Sequence, residues 1–200
     1  MLHPGDLLYL PPHYGHDGVA LTDCITISIG FRAPDARELG ARFLEFLQDR
    51  LKLEGQYEDP DLALQRRPAA IAPAMIRKVR RMLGGIRWDG EDVADFLGCH
   101  LTEPKAHVVF PRPARPLTER GFTTAARQHG LRLALATRML FRGDTVFING
   151  ELRSMEGRSA RALTALADRR ELAPGSRVGQ QAMPALYEWY RAGYILLSDD

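Results

Sequence analysis

The sequence predicts an α+β chain with strands in front, helices in the middle and a mixed module at the end. Three observations carry this. "DLLYL" and "CITISIGF", near the N-terminus, are rich in β-formers. The middle of the chain repeats apolar residues at helical spacing. The final segment interleaves helices with short β-rich runs around tight turns, which describes a winged-helix-like module. The expected boundaries are 1–33 for the strands, 34–112 for the helical region and 113–200 for the terminal module.

Bulk properties narrow the function classes. Two hundred residues suit one large domain or two to three small ones. A formal charge of +2 is too small to argue for nucleic acid as a partner. Lysine occurs only at Lys52, Lys78 and Lys105, so arginine carries nearly all the positive charge. Cys24 and Cys99 form neither a disulfide framework nor a zinc spacing, which fits a reducing cytoplasm. No apolar run approaches the roughly twenty residues that span a bilayer. The N-terminus shows no charged leader followed by an apolar stretch. The expectation is a cytoplasmic chain with no membrane contact.

Each element has a local reason. In "CITISIGF", Ile25, Ile27, Ile29 and Phe31 alternate with Thr26, Ser28 and Gly30. Period two places bulky side chains on one face and small polar ones on the other. Such a strand suits a barrel with a ligand inside, or an ordinary half-buried strand with a wet outer face. Two or three strands cannot bury a sheet alone, so these need partners the rest of the chain does not obviously supply. The chain is therefore expected to begin part-way into a domain.

Pro34 and Asp35 open the first helix, and Asp35 with Glu38 has capping-box spacing. Leu39, Phe43, Phe46, Leu47 and Leu51 form its apolar stripe, and Gly55 is expected to close it. A second helix lies around "PAMIRKVRRMLGG", with Ile76, Val79 and Leu83 on one face and arginines on the other. Those arginines read as a solvated face before an anion site. A third helix lies near "GEDVADFLGCHLTEP". Helices with no sheet between them must pack on each other or on a partner subunit. "VVFPRPARPLTERG" is a proline-rich boundary. Beyond it come a helix stopped by Gly130, β-rich runs turning at Gly143-Asp144 and Asn149-Gly150, two more helices, and a short strand "YILL".

His13, His16 and Asp17 are the one dense group of possible metal ligands. A stiff proline-containing turn fixes where an imidazole points, which metal geometry needs. A catalytic zinc or iron needs three protein ligands, and no clean third stands nearby. His3, His100, His107 and His129 are scattered singles, more in keeping with surface or structural roles. No Ser-His-Asp grouping, nucleophile elbow, P-loop or dinucleotide fingerprint is present.

The front of the chain resembles a known family. Pro4-Gly5-Asp6, Leu8-Tyr9-Leu10-Pro11-Pro12, His16, Gly18 and the run Ser28-Ile29-Gly30-Phe31-Arg32-Ala33-Pro34 are similar to the motifs of bacterial JmjC-type cupin oxygenases. More narrowly they resemble the ribosomal oxygenases that hydroxylate an arginine of a large-subunit ribosomal protein. The likeness continues more weakly through "FINGE" to "YEWYRAGYILLSDD". It implies a partial double-stranded β-helix over 1–33, a helical dimerisation region over 34–112 giving a homodimer, and a winged-helix-like domain over 113–200 that helps position the ribosomal protein. It implies Fe(II) held by two histidines and one carboxylate, with 2-oxoglutarate as co-substrate. His16 aligns with the last of those ligands. Thr26 and Ser28 would face 2-oxoglutarate. His13 falls in a variable part of the loop and takes no ligand role.

The sequence departs from that family in one respect. It contains no H-x-D or H-x-E, the motif that brings the first two ligands. The expectation is a C-terminal portion that is inactive alone and binds neither iron nor 2-oxoglutarate by itself. Two other readings stand beside it. One is a non-catalytic protein- or nucleic-acid-binding module built on the helical and winged-helix segments. Against DNA reading, Arg158, Arg161, Arg169 and Arg170 are accompanied by Asp168 and Glu171, so a charge-balanced surface is the better account. The other is a metal-free cupin-like storage or scaffold fragment.

Overall fold

The computed structural model describes residues 2–11, 13–30, 33–58, 60 and 63–198. It divides into two compact units, Met1–Ala36 and Arg37–Asp200.

Among the described residues of the first unit the expected strands do not form, and the first regular element among them is the helix starting at Ala36. Pro12, Phe31 and Arg32, which belong to the front motifs, lie outside the described residues. The reason is pairing. A strand is held by its neighbours, and the described residues here offer none. Ile25, Ile27 and Ile29 are 93%, 83% and 76% exposed, so the alternation read from the sequence has no core to serve. Local order comes from turns. The Asp6 N–H donates to the His3 carbonyl at 3.0 Å, and the His3 N–H to Asp6 Oδ2 at 2.7 Å.

The second unit is α+β, as the sequence predicts. α1 (Ala36–Gln48) begins just after Asp35. It stops well short of Gly55, where the sequence places its end. The Leu47 carbonyl accepts both the Arg50 and Leu51 N–H groups at 2.9 Å, closing the last turn. Arg50 then lies over the Phe46 ring at 4.3 Å and pairs with Asp95 at 3.0 Å. α2 (Pro73–Leu83) starts on a proline at a position whose N–H needs no partner. It buries no residue: Ile76, Val79, Met82 and Leu83 remain substantially exposed along it.

α3 (Gly90–Thr102) is the best-capped helix. The Asp89 carboxylate accepts the Glu91 and Asp92 N–H groups at 2.8 and 3.1 Å, and the Asp92 carboxylate accepts the Asp89 N–H at 3.0 Å. This capping box satisfies donors that a helix start otherwise leaves open. Asp89→Ala should lower stability by about 1 kcal/mol, read as a fall in the urea midpoint with unchanged slope. α3 packs on α1 through Phe43 and Phe96, with ring centroids 5.4 Å apart, and Phe96 is buried.

The terminal module follows. α4 (Glu119–His129) is capped by Thr118, and β1 (Leu131–Leu133) leaves it through Gly130. β2 (Met139–Arg142), β3 (Thr145–Ile148) and β4 (Glu151–Ser154) form an antiparallel meander. Both of its turns are two-residue loops at the positions the sequence indicates. Asn149 and Gly150 have φ of 48° and 89°, the left-handed pair that matches strand twist. α5 (Gly157–Arg169), β5 (Glu171–Leu172), α6 (Met183–Ala192) and β6 (Ile195–Leu197) complete the chain, and β5-β1-β6 make a second antiparallel sheet. Phe122, Leu131, Val146, Ile148, Leu163, Leu166, Leu186, Trp189 and Ile195 are essentially fully buried between these elements. α3 joins this module physically. Gly98 lets the Phe147 ring lie against its backbone, and Thr102 Oγ1 accepts the Gly150 N–H at 3.0 Å.

Candidate functional site

The residues singled out for metal chemistry sit in the first unit. The Tyr14 N–H donates to the Pro11 carbonyl at 3.4 Å, which bends the chain ahead of His16. His13 takes a left-handed φ of 69° within that bend. His16, His13 and Asp17 are all exposed. Thr26 and Ser28 are exposed as well, on an extended segment that pairs with no strand.

A two-histidine, one-carboxylate centre needs three converging donors. Among the described residues no group of three or more His, Cys, Asp or Glu side chains comes together. The donors present therefore do not fit a complete Fe(II) centre, and no reaction step is derived through one. The other candidates sit elsewhere in the fold. His100 stacks on Phe96, centroids 5.3 Å apart and nearly parallel, which is a packing role. Cys99 beside it is half-buried, and burial pushes its thiol pKa up, away from the thiolate that binds metal. His107 is exposed on the connection to the terminal module.

The second unit holds two surfaces of functional size. One is the exposed apolar edge of α2; Val93, Leu97 and Leu101 on α3 are partly exposed as well. The arginines of "RKVRR" (Arg77, Arg80 and Arg81) are exposed on α2. The other is a groove of about 500 Å³ along α5, lined by Arg158, Arg161, Arg169 and Arg177. The first three were visible as a charged helix. Arg177 was missed, because it comes from the loop after β5 and its approach depends on a turn at Gly175, φ 74°. The Pro174-Gly175 pair was the available signal.

Comparison with known proteins places both ends of the chain. The JmjC domain family matches residues 1–39, and the ROXA-like winged helix family matches residues 85–195. The ribosomal protein uL16 3-hydroxylase of Escherichia coli is 32% identical over 151 residues, 75% of this chain and 40% of the relative. A probable ribosomal oxygenase of Haemophilus influenzae is 39% identical over 64 residues, 32% of this chain and 14% of the relative. This chain thus spans less than half the length of the relatives it matches. Among solved structures, the E. coli ribosomal oxygenase YcfD with cobalt and 2-oxoglutarate superposes with a TM-score of 0.60 at 26% identity, covering 84% of this chain and 47% of that one. A second structure, of the same enzyme with cobalt and succinic acid, gives a TM-score of 0.59 over the same shares. Because the winged-helix match covers more than half of the residues, the chain belongs to the ROXA-like winged helix family and carries JmjC-domain sequence ahead of that module.

Proposed function

We propose that this chain is the C-terminal portion of an Fe(II)/2-oxoglutarate-dependent hydroxylase acting on an arginine of a large-subunit ribosomal protein in the cytoplasm. The observation that carries the reading is the order of two matches in one chain: JmjC sequence over 1–39, then a ROXA-like winged helix over 85–195. The relatives' names supply the substrate class, a ribosomal protein. The division into 1–33, 34–112 and 113–200 follows as barrel, dimerisation region and substrate-positioning module. In that assembly His16 is the last iron ligand, and Thr26 and Ser28 lie on the 2-oxoglutarate side.

The exposed segment 2–30 fits this role. Its isoleucines acquire a core, and its backbone acquires ladder partners, only beside further barrel strands. The exposed apolar edge of α2 fits a homodimer contact in the same way, since such an edge gains by burial. No helix of the described residues is long and apolar enough to cross a membrane.

A chimera tests the reading. The chain replaces the matching portion of the E. coli uL16 3-hydroxylase, and the ribosomal protein is assayed by mass spectrometry for one added oxygen. The expected result is hydroxylation by the chimera and none by the chain alone. A folded chimera that hydroxylates nothing would overturn the assignment.

A further inference from the structure

The α5 groove lies apart from the residues of the hydroxylase reading, and its chemistry is independent of it. Arg158, Arg161 and Arg169 project from α5 into it, with Ala162 and Ala165 as a small apolar floor. Arg177 enters from the loop after β5. That loop is held in place by the Gly175 N–H donating to the Arg127 carbonyl at 2.8 Å, and the Ser176 N–H to the Ala173 carbonyl at 3.1 Å. Among the described residues none of these four guanidinium groups has an ion pair or a hydrogen bond. Glu171 is the one acidic residue in the lining.

The fold also changes the charge count that the sequence suggested. Arg170 does not contribute to the groove. It takes the left-handed position that ends α5, φ 61°, and reaches to the loop between β1 and β2. Its guanidinium donates to the Thr137 carbonyl at 3.1 Å and the Ala134 carbonyl at 2.9 Å, so it is a structural pin. Asp168 is not in the lining. The groove's own lining thus holds four arginines and one glutamate.

We propose that this groove binds the phosphodiester backbone of a single nucleic-acid strand. Guanidinium groups match phosphate oxygens with a planar, permanently charged fork. Arg158 to Arg169 spans about 16 Å along the helix axis, so the charges form a track rather than a single anion pocket. The lining holds no aromatic ring, so bases cannot stack and the backbone is what is read. A duplex takes a helix that protrudes into its groove; here the arginines line a recess, which a single strand enters. An acidic peptide is less well served, because the apolar lining is three alanines and a largely buried Leu172, which give an anchor side chain little to hold.

The test is fluorescence anisotropy with the full chain and labelled twelve-nucleotide oligouridine and oligothymidine, titrated across salt. Binding should weaken as salt rises, with a log–log slope approaching about −2.8, or −0.7 for each of four phosphates on a single strand. Arg161→Glu/Arg169→Glu should weaken binding at least tenfold and make the slope shallower by about 1.4. Arg77→Glu/Arg81→Glu on α2, with the same change in net charge, should stay within twofold. Arg161→Gln/Arg169→Gln repeats the experiment without reversed charge, and circular dichroism checks each fold. RNA bound more tightly than DNA, or the reverse, identifies which strand is the natural one. The proposal is overturned by salt-independent or absent binding, by equal loss in the α2 variant, by a duplex that outcompetes the single strand, or by an oligoglutamate peptide that binds as tightly.

Discussion

His16→Ala in the chimera should abolish hydroxylation of the ribosomal protein while leaving the chimera folded. The two halves of that result have separate causes. His16 is exposed and forms no described contact in this chain, and circular dichroism of the chimera beside its parent reads whether the fold survives the change. Its proposed role, by contrast, is one of three donors. Even groups that merely orient a metal ligand typically change metal affinity or activity about 10–100-fold when lost, so losing a donor should lower the rate by at least about 100-fold. His13→Ala is the matched control: it lies three residues away, is equally exposed, and is given no ligand role. Mass spectrometry of the ribosomal protein reads both. Full activity in His16→Ala, or equal loss in His13→Ala, would sink the ligand assignment and leave the family membership standing.

The contrast between the two units shows what a sequence encodes locally. α3 is legible from the run near "GEDVADFLGCHLTEP", while the Asp89–Asp92 capping box that starts it was missed, although both residues sit three apart in sequence. Both turns of the β2–β4 meander are legible because Gly143-Asp144 and Asn149-Gly150 carry their own backbone preferences. The front strands are legible in pattern but not in outcome. Their alternation specifies a face, and a face forms only when another surface covers it. The end of α1 fails for a related reason. Gly55 is a sound stop signal, but α1 ends earlier, at Gln48, and Arg50 just beyond it contacts Phe46 and Asp95, a partner far along the chain. The candidate sites divide similarly. His16 is nominated by motif alone, because the motif is contiguous. The α5 groove is not, since Arg170 leaves it and Arg177 joins it through tertiary structure.

Gly130→Ala should destabilise the terminal module more than any surface substitution. Gly130 joins α4 to β1 with φ 82° and ψ −176°, a region that L side chains scarcely enter. Space is the second constraint. A Cβ built there runs into the Leu172 carbonyl oxygen and lies 3.1 Å from the Pro174 nitrogen, and both are backbone atoms. Neither can rotate aside as a side chain could. Relief would require moving β5, whose Leu172 pairs with Leu131 of β1. The core follows from that pairing, because Leu131 and Leu172 are both buried in it. Backbone strain and overpacking each cost about 1–3 kcal/mol, so the variant should lose about 2–6 kcal/mol. Gly90→Ala supplies the contrast. Gly90 stands at the start of α3 with open space around its Cβ position, and the change should be neutral or stabilise by up to about 1 kcal/mol. Urea unfolding of both variants beside the parent measures the difference. A Gly130→Ala midpoint equal to the parent's would mean that the β1–β5 junction yields freely, and the account of how this module holds the α5 groove would fail with it.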